Sequence, residues 1–131
     1  MKRRNKPIQR LWRQKWCDAL SGLRQAIRGQ SSFCVHFPAA VVVVAAAWFL
    51  GTFDVVRWAL LVLCITIVIG GEMFNTSIET LAKAVTESHH PLIGQALDIA
   101  GGAVLILTFG AAVVGTILFL ESLVIFFHIS S

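Results

Sequence analysis

Residues 55–83 read VVRWALLVLCITIVIGGEMFNTSIETLAK. The segment 55–71 is apolar, and its only charge is Arg57 at the edge. No helix breaker follows Gly71, so a helix that begins in the apolar run is expected to continue into the polar stretch. Counting from Glu72, Asn75 lies three residues on, Thr76 four and Glu79 seven. At about 100° per residue these four positions share one face, with the two carboxylates roughly 10 Å apart along the axis. Ionisable groups so close to an apolar run are costly to keep there and are functional candidates for that reason. The rival reading is that Glu72 and Glu79 merely begin the solvated face of an emerging helix.

Two more apolar runs flank this one. Residues 33–50, FCVHFPAAVVVVAAAWFL, carry no formal charge besides whatever His36 contributes. As a helix they would reach about 27 Å, near the thickness of a bilayer core. Residues 99–120, IAGGAVLILTFGAAVVGTILFL, are uncharged throughout. The reading is therefore an all-α integral membrane protein: an N-terminal amphipathic surface region (1–30) and three transmembrane spans (33–50, 55–71 and 99–120) in one membrane-embedded domain, 1–131. Composition agrees. Of 131 residues 56% are hydrophobic and 14% charged, where a soluble domain carries roughly 25% charge. The length also excludes the large α/β kinase, dehydrogenase and hydrolase scaffolds.

The net charge of +4 conceals an asymmetry. Residues 1–28 hold nine basic side chains against one acid, Asp18, a net +8, and the remainder is −4. Followed by three apolar runs, such a basic block belongs at an anionic membrane surface, and no nucleic-acid partner is expected. The lysine and arginine bias puts the N-terminus and the 83–97 connection in the cytoplasm, with the 51–54 turn and the C-terminus outside. A cleaved signal peptide is the wrong reading, because the basic region is too long and two further runs follow. Within 8–28, Ile8, Leu11, Trp12, Trp16, Ala19, Leu20, Leu23, Ala26 and Ile27 form an apolar stripe facing away from Arg10, Arg13 and Arg24. A basic amphipathic helix with two tryptophans is the form of a helix lying on anionic lipid.

Cys17, Cys34 and Cys64 are scattered, with no metal or disulfide spacing, and His89, His90 and His128 have no ligand-spaced partner. Asp98 precedes the third span at the membrane level of Glu72 and Glu79, so it is expected to converge on their face. Three carboxylates and the Asn75 amide at one interface form a cation site whose hard oxygens suit Mg²⁺, and magnesium points in turn to a nucleoside triphosphate. No G-x-x-x-x-G-K-[ST] loop is present. Gly101, Thr108, Ala112 and Gly115 instead form a small-residue stripe that favours close helix packing within or between subunits.

The pattern E-x-x-N-T-x-I-E (Glu72, Asn75, Thr76, Ile78, Glu79), then His90, Ala96, Asp98 and GGAVL, resembles the prokaryotic diacylglycerol kinase family. Ala19, Gly22, Leu23, Ala26, Phe33 and His36 extend the resemblance upstream, so that it covers about 15–120. It implies a lipid kinase of the bacterial inner membrane, assembled as a homotrimer with shared active sites. ATP would be the phosphoryl donor, Mg²⁺ the cofactor, and diacylglycerol or undecaprenol the acceptor. The residue matching Glu72 acts on the lipid hydroxyl as general base. The residue matching Glu79 helps hold magnesium and the ATP phosphates, and those matching Asn75 and Asp98 complete the site, with Thr76 on the same face.

Three positions depart from the family pattern. Gln30 stands where a second metal-binding glutamate is usual, Leu97 where a lysine precedes the aspartate, and Lys83 where an aspartate follows the second glutamate. One reading is compensation, with Lys83 supplying the cation that Leu97 cannot. The other is a degenerate site in a weak kinase or a non-catalytic membrane module. An ion carrier would want polar groups at mid-membrane, and a purely structural trimer would leave the Glu-Asn-Glu face and Asp98 unexplained.

Overall fold

The computed structural model describes residues 12–29, 33–85 and 90–130, all of which are helical apart from short connections. In order they form α1 (Trp12–Gly29), α2 (Phe33–Leu50), α3 (Val55–Val85) and α4 (Pro91–Ser130). Gln30, His89 and the first residues of the basic stripe, Ile8 to Leu11, lie outside the described residues.

Helix α3 runs unbroken through Gly70, Gly71 and the polar stretch, as its lack of a breaker requires. Helix α4 is longer at both ends than the apolar run 99–120. Its start is set by Pro91, which needs no amide partner in the first turn. The His90 carbonyl there accepts from the amides of Ile93 and Gly94, each at 3.0 Å. Beyond Leu120 nothing stops the helix, because Glu121 is a good helix former and an apolar stretch follows.

Among the described residues two helices, α3 and α4, are long and apolar enough to cross a membrane, whereas the apolar helix Val35–Leu50 within α2 is shorter. Their side chains are mostly uncovered: Phe49 is 85% exposed, and Leu105, Ile106 and Phe109 stand out along α4. Surfaces of this kind need an apolar solvent or another apolar surface around them. On α1, Trp12, Trp16, Leu20 and Ile27 are likewise exposed along one side, and Lys15 lies over the Trp12 ring at 4.9 Å.

The packed core lies at the end where α2 turns into α3. Ala47, Leu61 and Leu118 form its centre, with Val43, Phe53, Trp58, Ile65, Val114 and Phe119 against them. Phe53 makes tilted ring contacts with Trp58 at 5.6 Å and Phe119 at 5.3 Å. The turn is built by two devices. Gly51 takes a positive φ of 64°, which costs a residue without Cβ nothing, and its amide donates to the Trp48 carbonyl at 3.2 Å. Asp54 then caps α3, its Oδ1 accepting from the Arg57 amide at 2.8 Å.

Arg57 ties this cap to α4, with Nη1 on Asp54 at 2.8 Å and Nη2 on Glu121 at 3.4 Å. Nearby, Thr52 Oγ1 donates to the Ser122 carbonyl at 3.2 Å. Further along, a Cβ on Gly71 would stand 2.6 Å from Leu107 Cδ1. Pairing 52 with 122, 57 with 121 and 71 with 107 makes α3 and α4 antiparallel neighbours. Their close approach uses Gly71. It does not use the stripe of Gly101 and Gly115, where an added Cβ would meet nothing within 4 Å in the chain.

Because Asp54 acts both as cap and as ion-pair partner, two substitutions separate its roles. Asp54→Ala should cost about 1 kcal/mol, the usual loss for a removed N-cap, read as a lower Tm in detergent micelles. Asp54→Asn keeps the cap and should retain most of that stability, since the ion pair reaches an exposed carboxylate and exposed pairs contribute little.

Candidate functional site

Away from the packed end the polar face of α3 meets the start of α2. Glu72 is buried, with 4% of its surface exposed. Its neighbours on either side of the helix are more open, so the burial follows from helical phase: positions 72, 75, 76 and 79 are turned inward while 74, 77, 78 and 80 are exposed. The face inferred from spacing is therefore the inward face. His36, one turn into α2, places Nε2 at 2.9 Å from Glu72 Oε1. One turn further along α3, Asn75 Nδ2 donates to Glu79 Oε1 at 2.8 Å. Thr76 Oγ1 is buried between them with no hydrogen-bond partner in the structure. By contrast the outward hydroxyls of Ser77 and Thr80 bond back to their own helix, at 2.9 Å and 2.8 Å.

The other expected members stand apart. Asp98 is nine residues before Leu107 on α4, and Thr80 is nine after Gly71 on α3, so Asp98 does share the level of Glu79 and Thr80. It does not share their face. Ala100 is buried and Leu97 half-buried toward the rest of the chain, and two residues back from Ala100 is about 200° round a helix. Asp98 is accordingly exposed, and no hydrogen bond or ion pair among the described residues joins it to Glu72, Asn75 or Glu79. The expected convergence of three carboxylates therefore does not form within one chain. Lys83 is exposed on the turn after Glu79, and Gln30 lies outside the described residues.

Among the described residues no three His, Cys, Asp or Glu side chains gather at one point. A magnesium ion held with a nucleotide does not need such a cage. It takes one or two carboxylates and draws its other oxygens from phosphate and water. The Glu79 carboxylate and the Asn75 amide oxygen, whose NH₂ is already turned to Glu79, form a donor set that fits this requirement.

His36 also marks the end of a groove of about 560 Å³ between α2, α3 and α4. The walls are aliphatic and aromatic, including Val43, Leu61, Val68, Ala112 and Phe119. Thr108, whose buried Oγ1 has no partner, lines it as well. The place of His36 was not legible from spacing, although it is the only basic side chain in its apolar run and could have been singled out on that ground.

Comparison with known proteins shows the family of the chain. The model of the prokaryotic diacylglycerol kinase family matches residues 17–119. The chain belongs to that family. It is 31% identical over 102 residues to undecaprenol kinase of Bacillus subtilis (strain 168), covering 78% of this chain and 82% of the relative. It is 34% identical over 106 residues to diacylglycerol kinase of Synechocystis sp. (strain ATCC 27184 / PCC 6803 / Kazusa), covering 80% of this chain and 60% of that protein. The family match takes in α3 whole, and with it Glu72, Asn75, Thr76 and Glu79, and includes His36 and Asp98.

The orphaned Thr76 hydroxyl gives a direct test of the inward face. Removing a buried hydroxyl that has no partner should relieve a desolvation cost of about 1–3 kcal/mol at most. Thr76→Val is thus expected to melt at or above the wild-type temperature in micelles. A clear fall in Tm would mean that the hydroxyl is bonded in the folded protein.

Proposed function

We propose that this protein is an ATP- and Mg²⁺-dependent lipid kinase that phosphorylates the primary hydroxyl of a membrane lipid, either diacylglycerol or undecaprenol. The observation that carries the proposal is the buried Glu72 on one inward face with the Asn75–Glu79 pair, in a chain of this family. On this reading α2, α3 and α4 all cross the bacterial inner membrane, the N-terminus is cytoplasmic and α1 lies on the inner surface. Exposed apolar residues on all four helices and the basic N-terminal block support that arrangement.

Glu72 is the general base. It takes the proton from the lipid hydroxyl as that oxygen forms its bond to the γ-phosphorus, and the bond to the bridging oxygen breaks to release ADP. Asn75, Thr76 and Glu79 bind the phosphates from the cytoplasmic side, and Glu79 with Gln30 would hold Mg²⁺. Neutralisation of phosphate charge is the chemistry that the ion supplies when bound. The apolar groove ending at His36 is suited to a lipid chain, and would bring a headgroup hydroxyl toward the Glu72 level.

Asp98, turned away from the site of its own chain, supports assembly as a homotrimer in which it completes a neighbour's site. Lys83 replaces the missing cation of Leu97. The departures at Gln30, Lys83 and Leu97 also favour a second reading, a membrane module that has lost catalysis.

Purified protein with labelled ATP, Mg²⁺ and a panel of diacylglycerol and undecaprenol decides between them. Label is expected in lipid, lost on chelating magnesium, and Glu72→Gln should lower kcat by about 10²–10⁴-fold, the usual contribution of a general base. Absence of transfer to any lipid in the panel would support the non-catalytic module. In the same assay Lys83→Ala should slow the reaction and Leu97→Lys should restore it; an unchanged rate in Lys83→Ala would rule out compensation.

A further inference from the structure

A buried carboxylate is costly unless a partner meets it, and Glu72 has one partner among the described residues. His36 Nε2 stands 2.9 Å from Oε1, and no other side-chain hydrogen bond or ion pair among those residues reaches this carboxylate. The contact joins α2 to α3 across the inner end of the groove, where His36 is also a wall residue. A carboxylate bonded at one oxygen loses rotational freedom about its last torsion, and its second oxygen is left with a defined direction. We infer that His36 is a positioning residue for Glu72: its Nε2–H holds Oε1, so that Oε2 is the atom presented to the acceptor hydroxyl.

The inference deepens the lipid-kinase reading and rests on it for its kinetic consequence. The 2.9 Å contact itself does not depend on that reading. The geometry makes a specific demand on the donor. In a histidine side chain Nε2 lies as far from the backbone as the amide nitrogen of glutamine, whereas asparagine's nitrogen overlays Nδ1. Glutamine at position 36 can therefore make the bond to Glu72 and asparagine cannot.

Positioning acts on the reacting geometry more than on binding, and a misplacement of about 1 Å is worth roughly 10²-fold. His36→Ala and His36→Asn are expected to lower kcat by about 10²-fold while KM for ATP and for the lipid stays within about twofold. His36→Gln should recover at least about tenfold of that loss. The assignment is overturned by a kcat in His36→Ala equal to wild type, or by a His36→Gln variant no faster than His36→Asn. A rise in lipid KM with kcat unchanged also overturns it, and makes His36 a substrate-binding residue instead.

A melting cycle in micelles tests the contact without any activity. His36→Leu leaves the buried Glu72 carboxylate alone, so the double variant His36→Leu/Glu72→Leu should melt above His36→Leu. Strictly additive losses would show that the two side chains do not meet. Should the wild type phosphorylate no lipid while the cycle shows coupling, the kinase reading fails and the contact stands. Should transfer occur without coupling, the reverse holds.

Discussion

Keeping an ionisable carboxyl group at the end of an apolar helix is the constraint around which this molecule is arranged. Glu72 follows directly on a run of apolar residues and is almost wholly buried, so it has neither water nor a lipid headgroup to solvate it. The imidazole of His36 meets that need from another helix. The pairing requires α2 to lie against α3 at this level, and that in turn requires the tight turn of Gly51 and Asp54 at the opposite end. The turn and the buried carboxylate are the two ends of one structural problem.

Packed core and open groove lie side by side along the bundle. Where α2 turns into α3, small and aromatic side chains fill the space and Arg57 bridges to α4. From His36 past Leu61 to Leu123 the three helices also leave an apolar groove. The packed turn holds the geometry, while the groove can accommodate a long apolar molecule with His36, the partner of Glu72, at one end. In the proposed kinase the separation serves phosphoryl transfer, which depends on positioning and charge neutralisation far more than on covalent chemistry.

Much of this was legible because it depends on one helix at a time. That Glu72, Asn75, Thr76 and Glu79 share one face follows from helical periodicity alone, as the continuity of α3 follows from the absence of a breaker after Gly71; that the face turns inward was decided by packing. The direction of Asp98 was not legible, because level and direction have different origins. Level is counted along the chain, but direction depends on which residues of α4 pack inward, and Leu97 and Ala100 take that side. Within the chain, the stripe of Gly101 and Gly115 is not what joins α3 to α4. Small residues permit close approach without compelling it, and the contact between α3 and α4 was made at Gly71 and Leu107 instead.

From the order of its residues alone, this chain determined four features: its helices, their apolar lengths, the basic start and the grouping of its acids on α3. These are local properties, set by periodicity, side-chain volume and charge over a few neighbouring turns. Tertiary structure alone decided that His36 meets Glu72, that Asp98 turns away, and that a groove runs beneath the pair. Such facts depend on the rotation and spacing of helices far apart in the chain, and those are set by packing among many side chains at once.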